Sequence, residues 1–128
     1  MNAQRFSILR GTWAVARLGA KDDVPIWALN ESGFVSITRT NDELSIVCPE
    51  SAVPSGVRSE PGWSILKLQG PFPFAQVGVL ASFASPLSAA GVSIFSISTF
   101  DTDYMLIKAT QLSAACKALT AAGHELIA

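Results

Sequence analysis

The sequence predicts an α+β fold made of two tandem βαββαβ units, each an antiparallel sheet with its helices on one face. In the second half of the chain, strand-like and helix-like patterns alternate in that order. The first half repeats two short patterns of the second: residues 6–10 (FSILR) resemble 63–67 (WSILK), and 36–38 (SIT) resemble 96–98 (SIS). The two matches come in the same order at nearly the same separation, which indicates related units of roughly 60 residues.

The second half of the chain opens with a predicted strand and helix. Aromatic and aliphatic side chains favour a strand over 63–68, and the Gly-Pro pair that follows ends it. Helical spacing from about Phe74 places four apolar side chains on one face, namely Leu80, Phe83, Ala84 and Leu87. Pro86 should disturb the last turn of this helix, and Gly91 is placed as its stop.

Residues 92–128 supply the rest of this unit. β-Branched and aromatic residues favour a strand over 92–100, and Asp101-Thr102 predicts a tight turn. Residues 104–109 are apolar on both faces and predict a central strand. A second amphipathic helix ends at Gly123, leaves 125–128 for a short strand, and has this apolar face: Leu112, Ala115, Cys116, Leu119 and Ala122.

The first half follows the same order with shorter helices. Its predicted elements are a strand over 6–18 bent at Gly11, one or two helical turns over 24–29, a hairpin of 34–40 with 43–48, and a helical turn over 49–53. The polar stretch 55–62 is a connector between units. The predicted domains are therefore a degenerate N-terminal unit over 1–61 and a C-terminal unit over 62–128.

Composition excludes several classes of protein. Of 128 residues, 49% are apolar and 15% are charged, which excludes a disordered chain. Nine basic against ten acidic side chains leave no surplus to neutralise phosphates, so no nucleic-acid partner is expected. The first residues lack the apolar segment of a secretory signal, and the two cysteines lack the CxxC spacing of zinc sites. We therefore expect a cytoplasmic protein without a metal or cofactor.

The shortage of charge is concentrated in one stretch. No charged residue lies between Lys67 and Asp101. Prolines, Gly91 and several serines interrupt this stretch, which disfavours a membrane span of about 20 apolar residues. We expect instead a helix and a strand buried against a second copy in a homodimer or a larger assembly.

Few residues are candidates for catalysis. The only histidine, His124, follows Gly123 and is expected at a helix cap or on the surface rather than as a base. Cys48 ends a predicted strand and Cys116 lies on the apolar face of a helix, so both are interpreted as small hydrophobic residues. No nucleophile elbow and no phosphate-binding glycine motif is present. An enzyme is not expected.

The segment 98–103 (STFDTD) allows two interpretations. It contains turn-forming residues and suits an ordinary hairpin. It also suits a site for a free amino acid, because Asp103 could hold an ammonium group while the helix N-terminus near 74–78 offers N–H groups to a carboxylate. Phe100 or Tyr104 would then form a wall of the pocket.

Several segments resemble the ACT-domain family: 70–74 (GPFPF), 78–82 (GVLAS), 90–95 (AGVSIF) and 98–104 (STFDTDY). Within it, they are most similar to the subfamily shared by small bacterial proteins of unknown role and the animal cytosolic arginine sensor. Residues 35–49 of the first half resemble the same subfamily.

The resemblance implies a ferredoxin-like fold, side-by-side pairing of domains, and ligands between the paired domains. The implied ligand-binding residues are Gln76, Gly78, Thr99, Phe100 and Asp103 of one copy, with Ser93 and Ile94 of its neighbour. At the position of Gln76 the arginine sensor has a carboxylate, so an amide here suits a polar or neutral ligand better than a guanidinium. The expected function is a non-catalytic sensor of a free amino acid. The alternative is an oligomerisation module that docks on and regulates a partner enzyme without a ligand.

Overall fold

The computed structural model describes residues 3–29, 32–70 and 78–127. These residues contain eight strands and three α-helices, which confirms the α+β class. In chain order the elements are β1 (Arg5–Ile8), β2 (Trp13–Leu18), α1 (Ile26–Leu29), β3 (Ser36–Arg39), β4 (Leu44–Pro49), β5 (Ser59–Leu68), α2 (Val79–Ala89), β6 (Phe95–Ser98), β7 (Asp103–Lys108), α3 (Leu112–Ala121) and β8 (Glu125–Leu126). Short 3-10 helices at Glu50–Ala52 and Ala109–Gln111 follow β4 and β7.

The chain forms two compact units. One consists of residues 1–10 and 64–128 and is called the helix-rich unit below. The other consists of residues 11–63, which lie between those two segments in the sequence, and is called the inserted unit. Strand β5 contributes its first residues to the inserted unit and its last residues to the helix-rich unit.

The sheet of the helix-rich unit has the order β6-β7-β5-β1-β8. Strand β7 has a neighbour on each side, which confirms the prediction of a central strand over 104–109. Strand β1 runs antiparallel to β5, with Phe6 opposite Leu68, and parallel to β8. The strand predicted over 6–18 with a bend at Gly11 is thus two strands that both pair with β5 and are separated near Gly11, whose positive φ of 116° suits glycine. The division into domains 1–61 and 62–128 stays a prediction. The compact units of the structure are divided differently, because residues 1–10 belong to the same unit as residues 64–128.

Both longer helices pack on one hydrophobic core of the helix-rich unit. Phe83 and Leu87 of α2 and Leu119 of α3 are fully buried in the same cluster, so the two helices cover the same face of the sheet. The sheet contributes buried residues from three strands to this cluster, namely Phe6, Leu66, Leu68, Met105 and Ile107. Of the predicted α2 face, Leu80 and Ala84 are half-buried, and Val79, which the pattern did not include, is buried.

His124 lies at the C-terminal cap of α3, as expected, because its backbone N–H donates to the carbonyl oxygen of Leu119 at 3.0 Å, but its side chain is buried in this core and not at the surface. It is 3% exposed and its ring stacks on Phe83, with centroids 4.0 Å apart. Its Nδ1 accepts a hydrogen bond from the backbone N–H of Gln4 at 3.1 Å, and its Nε2 lies 2.8 Å from the carbonyl oxygen of Ser82. One nitrogen must accept and the other can donate, which describes a neutral imidazole protonated at Nε2.

The position of His124 is explained by Pro86. Helix α2 continues through Pro86 to Ala89, but a proline has no N–H to donate to the carbonyl four residues earlier, which belongs to Ser82. The Nε2–H of His124 supplies that carbonyl with a donor from outside the helix. Pro86 therefore does not interrupt the helix, although the sequence predicts a disturbance of its last turn: the missing backbone hydrogen bond to Ser82 is replaced by the one from His124.

The inserted unit is a smaller α+β arrangement with the strand order β3-β4-β2-β5. Ala16, Leu44, Ile46 and Cys48 of the strands form its core with Ala28 of α1. The hairpin predicted in this half is present as β3 and β4, with Ile37 opposite Ile46. The predicted connector over 55–62 is wrong in its second half, because residues 59–62 belong to β5 and this end of β5 pairs with β2.

The helices of residues 3–29, 32–70 and 78–127 differ from a membrane-spanning helix. None of them combines the length and the apolar character that a bilayer span requires.

Candidate functional site

The β6–β7 turn is fixed against the end of β5. The buried hydroxyl of Thr102 donates to the carbonyl oxygen of Leu68 at 2.8 Å. A β carbon at Gly70 would lie only 2.8 Å from the carbonyl oxygen of Asp101 and 2.9 Å from Cβ of Thr102. Glycine at this position therefore allows the backbone after β5 to approach the turn closely.

The turn also satisfies several of its own polar groups. The backbone N–H of Thr99 donates to the carbonyl oxygen of Thr102 at 2.8 Å, and the Thr99 hydroxyl donates to the same oxygen at 3.0 Å. The hydroxyl of Ser98 donates to Oδ1 of Asp103, its cross-strand neighbour. The tight turn predicted at Asp101-Thr102 is confirmed. An ionised carboxylate has room for further donors, so Asp103, which is half-buried, can still bind an ammonium group.

Four predicted binding residues lie toward the same end of the helix-rich sheet. Thr99, Phe100 and Asp103 lie in or beside the turn, and Phe100 is 79% exposed. Gly78 is the exposed N-cap of α2, with φ of 84° and no side chain to cap the first N–H groups of the helix. The first turns of α2 lie near the end of the sheet where β5 ends, because the carbonyl of Ser82 contacts His124 and His124 bonds to Gln4, beside the residues that pair with the end of β5. Gln76 and the predicted helix start near Phe74 lie outside the described residues.

Ser93 and Ile94 lie at the other end of β6. Ser93 is exposed, and Ile94 packs on the core of its own unit. They immediately precede β6, whose four residues span roughly 10 Å from Phe95 to Ser98 at about 3.3 Å per residue. Within one copy the structure thus separates these two residues from the turn, and the sequence assigned them to a neighbouring copy.

A pocket that the sequence did not predict lies beside the turn. It has a volume of about 230 Å³. Its lining comes from the end of β5 and from the turn: Lys67, Gln69, Gly70, Thr99, Asp101, Thr102 and Tyr104. Only Thr99 is shared with the predicted site, and Tyr104 was expected as a wall. The alternation of side chains along β5 and β7 places Lys67 and Tyr104 on one face of each strand, which is a signal that the sequence contains. Only the structure, however, shows that these two strands lie side by side.

The residues considered for catalysis, His124 and the two cysteines, form hydrogen bonds or pack in the hydrophobic cores. Both nitrogens of His124 have partners, and Cys48 is fully buried in the core of the inserted unit. Cys116 packs on the core of the helix-rich unit, and this burial raises the pKa of its thiol, which keeps it protonated and weakly nucleophilic. The interpretation of both cysteines as small hydrophobic residues is confirmed. Among the described residues, no group of histidine, cysteine and acidic side chains could hold a metal ion.

Comparison with protein families identifies the second half of the chain. Residues 58–121 match the family model of the ACT domain. The chain belongs to the ACT-domain family. This confirms the family that the sequence motifs predicted. A second model, of an N-terminal domain, matches residues 11–56, which lie within the inserted unit. Membership in the ACT family points to a regulatory, non-catalytic role for this ACT protein.

Solved structures support the fold of this ACT protein. A protein from Agobacterium tumefaciens is 46% identical, with a TM-score of 0.93 over 99% of this chain and 94% of that chain. A protein of unknown function from Vibrio cholerae is 18% identical, with a TM-score of 0.76 over 94% and 90%. The regulatory subunit of aspartate kinase from Thermus flavus is 12% identical, with a TM-score of 0.66 over 94% and 99%. The last two likenesses show the fold alone. No functionally curated protein gives a significant match.

Proposed function

We propose that this ACT protein is a non-catalytic cytoplasmic regulator, built of two tandem ACT units, that binds a free amino acid between the helix-rich units of two copies. The observation that carries the proposal is the placement of the predicted residues at the two ends of β6. Asp103 and the turn lie at one end of this strand, and Ser93 and Ile94 lie at the other. If two β6 strands pair antiparallel about a two-fold axis, the start of each strand lies beside the turn of the other.

Strand β6 suits such pairing. It pairs with β7 on one side, and no strand of the described residues pairs with its other side. Its sequence, Phe95–Ser98, contains neither charge nor proline, the usual protection of an exposed edge. Helix α2 is equally free of charge, because both elements fall in the uncharged stretch between Lys67 and Asp101. This stretch can be buried against a second copy without desolvating an ion.

The groups at the turn suit an amino acid. The carboxylate of Asp103 pairs with the ammonium group, and the uncapped N–H groups of the first turn of α2 bind the carboxylate. Among the described residues, no atom outside Gly78 and its chain neighbours lies within 4 Å of the position that a β carbon at Gly78 would take, which supports an open N-cap. Phe100, exposed in a single copy, would cover the ligand. The neutral amide of Gln76 favours a ligand side chain that is polar or neutral.

The test is isothermal titration of the full chain with each of the twenty amino acids, together with its mass in solution. We expect a dimer that binds one amino acid per chain. Asp103→Asn should weaken binding at least tenfold, since hydrogen bonds to charged groups contribute about 1.5–3 kcal/mol. Asp42→Asn, which changes an exposed aspartate of the β3–β4 turn, is the matched control. A dimer that binds no amino acid, or an Asp103→Asn variant with unchanged affinity, would refute the proposed site.

The alternative function is an oligomerisation module that docks on and regulates an enzyme without a ligand. The internal bonds of the turn favour it, because Ser98 already donates to Asp103 and the N–H of Thr99 already donates to Thr102. In such a module Asp103→Asn lowers the melting temperature and leaves the titrations unchanged. Retention of a specific enzyme by the immobilised dimer, with no heat from any amino acid, would favour this function.

A further inference from the structure

A second group of polar side chains lies on the opposite face of the helix-rich sheet from Asp103. Successive residues of a strand point to opposite faces, so Tyr104 faces away from the side of Asp103. Met105 and Ile107 share the face of Asp103 and are buried under α2 and α3. Lys67 likewise alternates with Leu66 and Leu68, which belong to that helix-covered core. Lys67 and Tyr104 therefore share the face opposite α2 and α3, where they line the pocket of about 230 Å³.

The pocket contains one positive and one negative side chain. Lys67 is half-buried on β5, and Asp101 is exposed on the turn. In the described part of the chain, neither side chain forms an ion pair or a side-chain hydrogen bond, although both line the same small space. A partly desolvated ammonium gains free energy from an anionic partner. The amide of Gln69 and the hydroxyl of Thr99 add neutral donors and acceptors to the lining.

The walls of the pocket are held together by contacts that need no ligand. The Thr102 hydroxyl is bonded to the carbonyl of Leu68, which fixes the turn to β5. The close approach of Gly70 to the carbonyl of Asp101 fixes the backbone on the other side. The backbone segments that carry Lys67 and Asp101 are thus held at a fixed separation before a ligand binds, which reduces the entropy lost on binding.

We propose that this pocket binds a small zwitterion of amino-acid size within a single copy of the chain. The ammonium of Lys67 takes the carboxylate of the ligand, and the carboxylate of Asp101 takes its amine. The volume supports this size class, because pockets for drug-sized molecules measure about 300–1,000 Å³ and are mostly apolar. The pocket differs from the site proposed between two copies, since it needs no second copy and uses neither Asp103 nor Gly78.

The first experiment is an NMR titration of the full-length ¹⁵N-labelled chain with L-alanine as the probe. Propionate, which lacks the amine, and ethylamine, which lacks the carboxylate, are the matched probes. We expect saturable shifts of the amide signals of Lys67, Gln69 and Thr102 with L-alanine, and at least tenfold weaker binding of both analogues. Propionate binding as tightly as L-alanine would overturn the zwitterion class, and no shift at about 20 mM L-alanine, far above a millimolar Kd, would overturn the site.

Variants assign the binding to this pocket. Lys67→Gln and Asp101→Asn should each weaken L-alanine binding about tenfold, whereas Lys117→Gln, at an exposed lysine of α3, should not. Since Asp101 is exposed, its variant gives a test even where Lys67→Gln disturbs folding. Shifts lost in Lys67→Gln but kept in Asp103→Asn support this pocket. The reverse pattern assigns binding to the site between two copies and overturns the inference while leaving the proposed function intact.

Discussion

His124→Ala should destabilise the protein strongly, and Pro86 should determine how strongly. The substitution leaves the backbone N–H of Gln4 and the carbonyl of Ser82 without their partners. Each unsatisfied buried group costs about 1–3 kcal/mol, so the free energy of unfolding should fall by about 2–6 kcal/mol. The lost stacking on Phe83 adds to this cost.

A double-mutant cycle separates the two hydrogen bonds. In Pro86→Ala the new backbone N–H at position 86 can donate to the carbonyl of Ser82 as in an ordinary helix. His124→Ala should then cost about 1–3 kcal/mol less in the Pro86→Ala background than in the natural chain. Urea denaturation followed by tryptophan fluorescence measures all four proteins, and equal slopes confirm that only stability changed.

A second proline provides the control for this cycle. Pro54 is exposed and lies outside the helices, so Pro54→Ala should leave the cost of His124→Ala unchanged. If His124→Ala costs the same in the Pro86→Ala background as in the natural chain, the histidine does not substitute for the missing helical donor. That outcome would refute the link between Pro86 and the burial of His124.

Three further perturbations test the region around the turn and the core. Gly70→Ala forces the new β carbon against a backbone carbonyl, so we expect a loss of about 1–3 kcal/mol of stability, measured by urea denaturation. Thr102→Val keeps the shape but leaves the carbonyl of Leu68 without its buried donor, and thermal unfolding should show a loss of about 1–3 kcal/mol. Cys116, whose thiol pKa is raised by burial, should react with iodoacetamide more slowly than an unfolded control peptide, and its rate should keep rising with pH above the range where the peptide levels off. An equal rate for the folded chain and the peptide would contradict that pKa shift, and unchanged stability in the glycine or threonine variant would contradict the close packing of the turn against the end of β5.

Local pattern predicted most elements because each depends on neighbours in sequence. The apolar spacing around Phe83 identified α2, and the turn residues at Asp101-Thr102 identified the β6–β7 hairpin. The bend at Gly11 could be predicted locally, but the partners of a strand are not encoded locally, so the sequence did not indicate that the two parts of the strand over 6–18 belong to different units. The strand character of residues 59–62 was missed for the same reason, since polar residues form a strand there by pairing with β2.

The site shows the same division between local and distant information. The turn residues Thr99 and Asp103 could be found from their motif, and their mutual arrangement follows from the hairpin. The pocket around Lys67 depends on how two strands distant in sequence align, and on a glycine, Gly70, that tolerates close contact with the turn. The burial of His124 also depends on distant groups, because its partners lie 120 and 42 residues away along the chain.

The placement of β1 has a consequence for synthesis on the ribosome. Strand β1 is synthesised well before β8, yet β8 is one of its two neighbours in the sheet. At about 5–20 residues per second, β1 must wait on the order of ten seconds before that neighbour exists. Phe6 can pack on β5 and α2 once they have emerged, and residues 11–63 form a contiguous segment that can collapse early, but the edge of β1 beside β8 stays unpaired during that interval. The edge of β1 that pairs with β8 is therefore the part of this sheet that stays open longest to chaperones and to aggregation, and the sheet closes only after β8 has been synthesised.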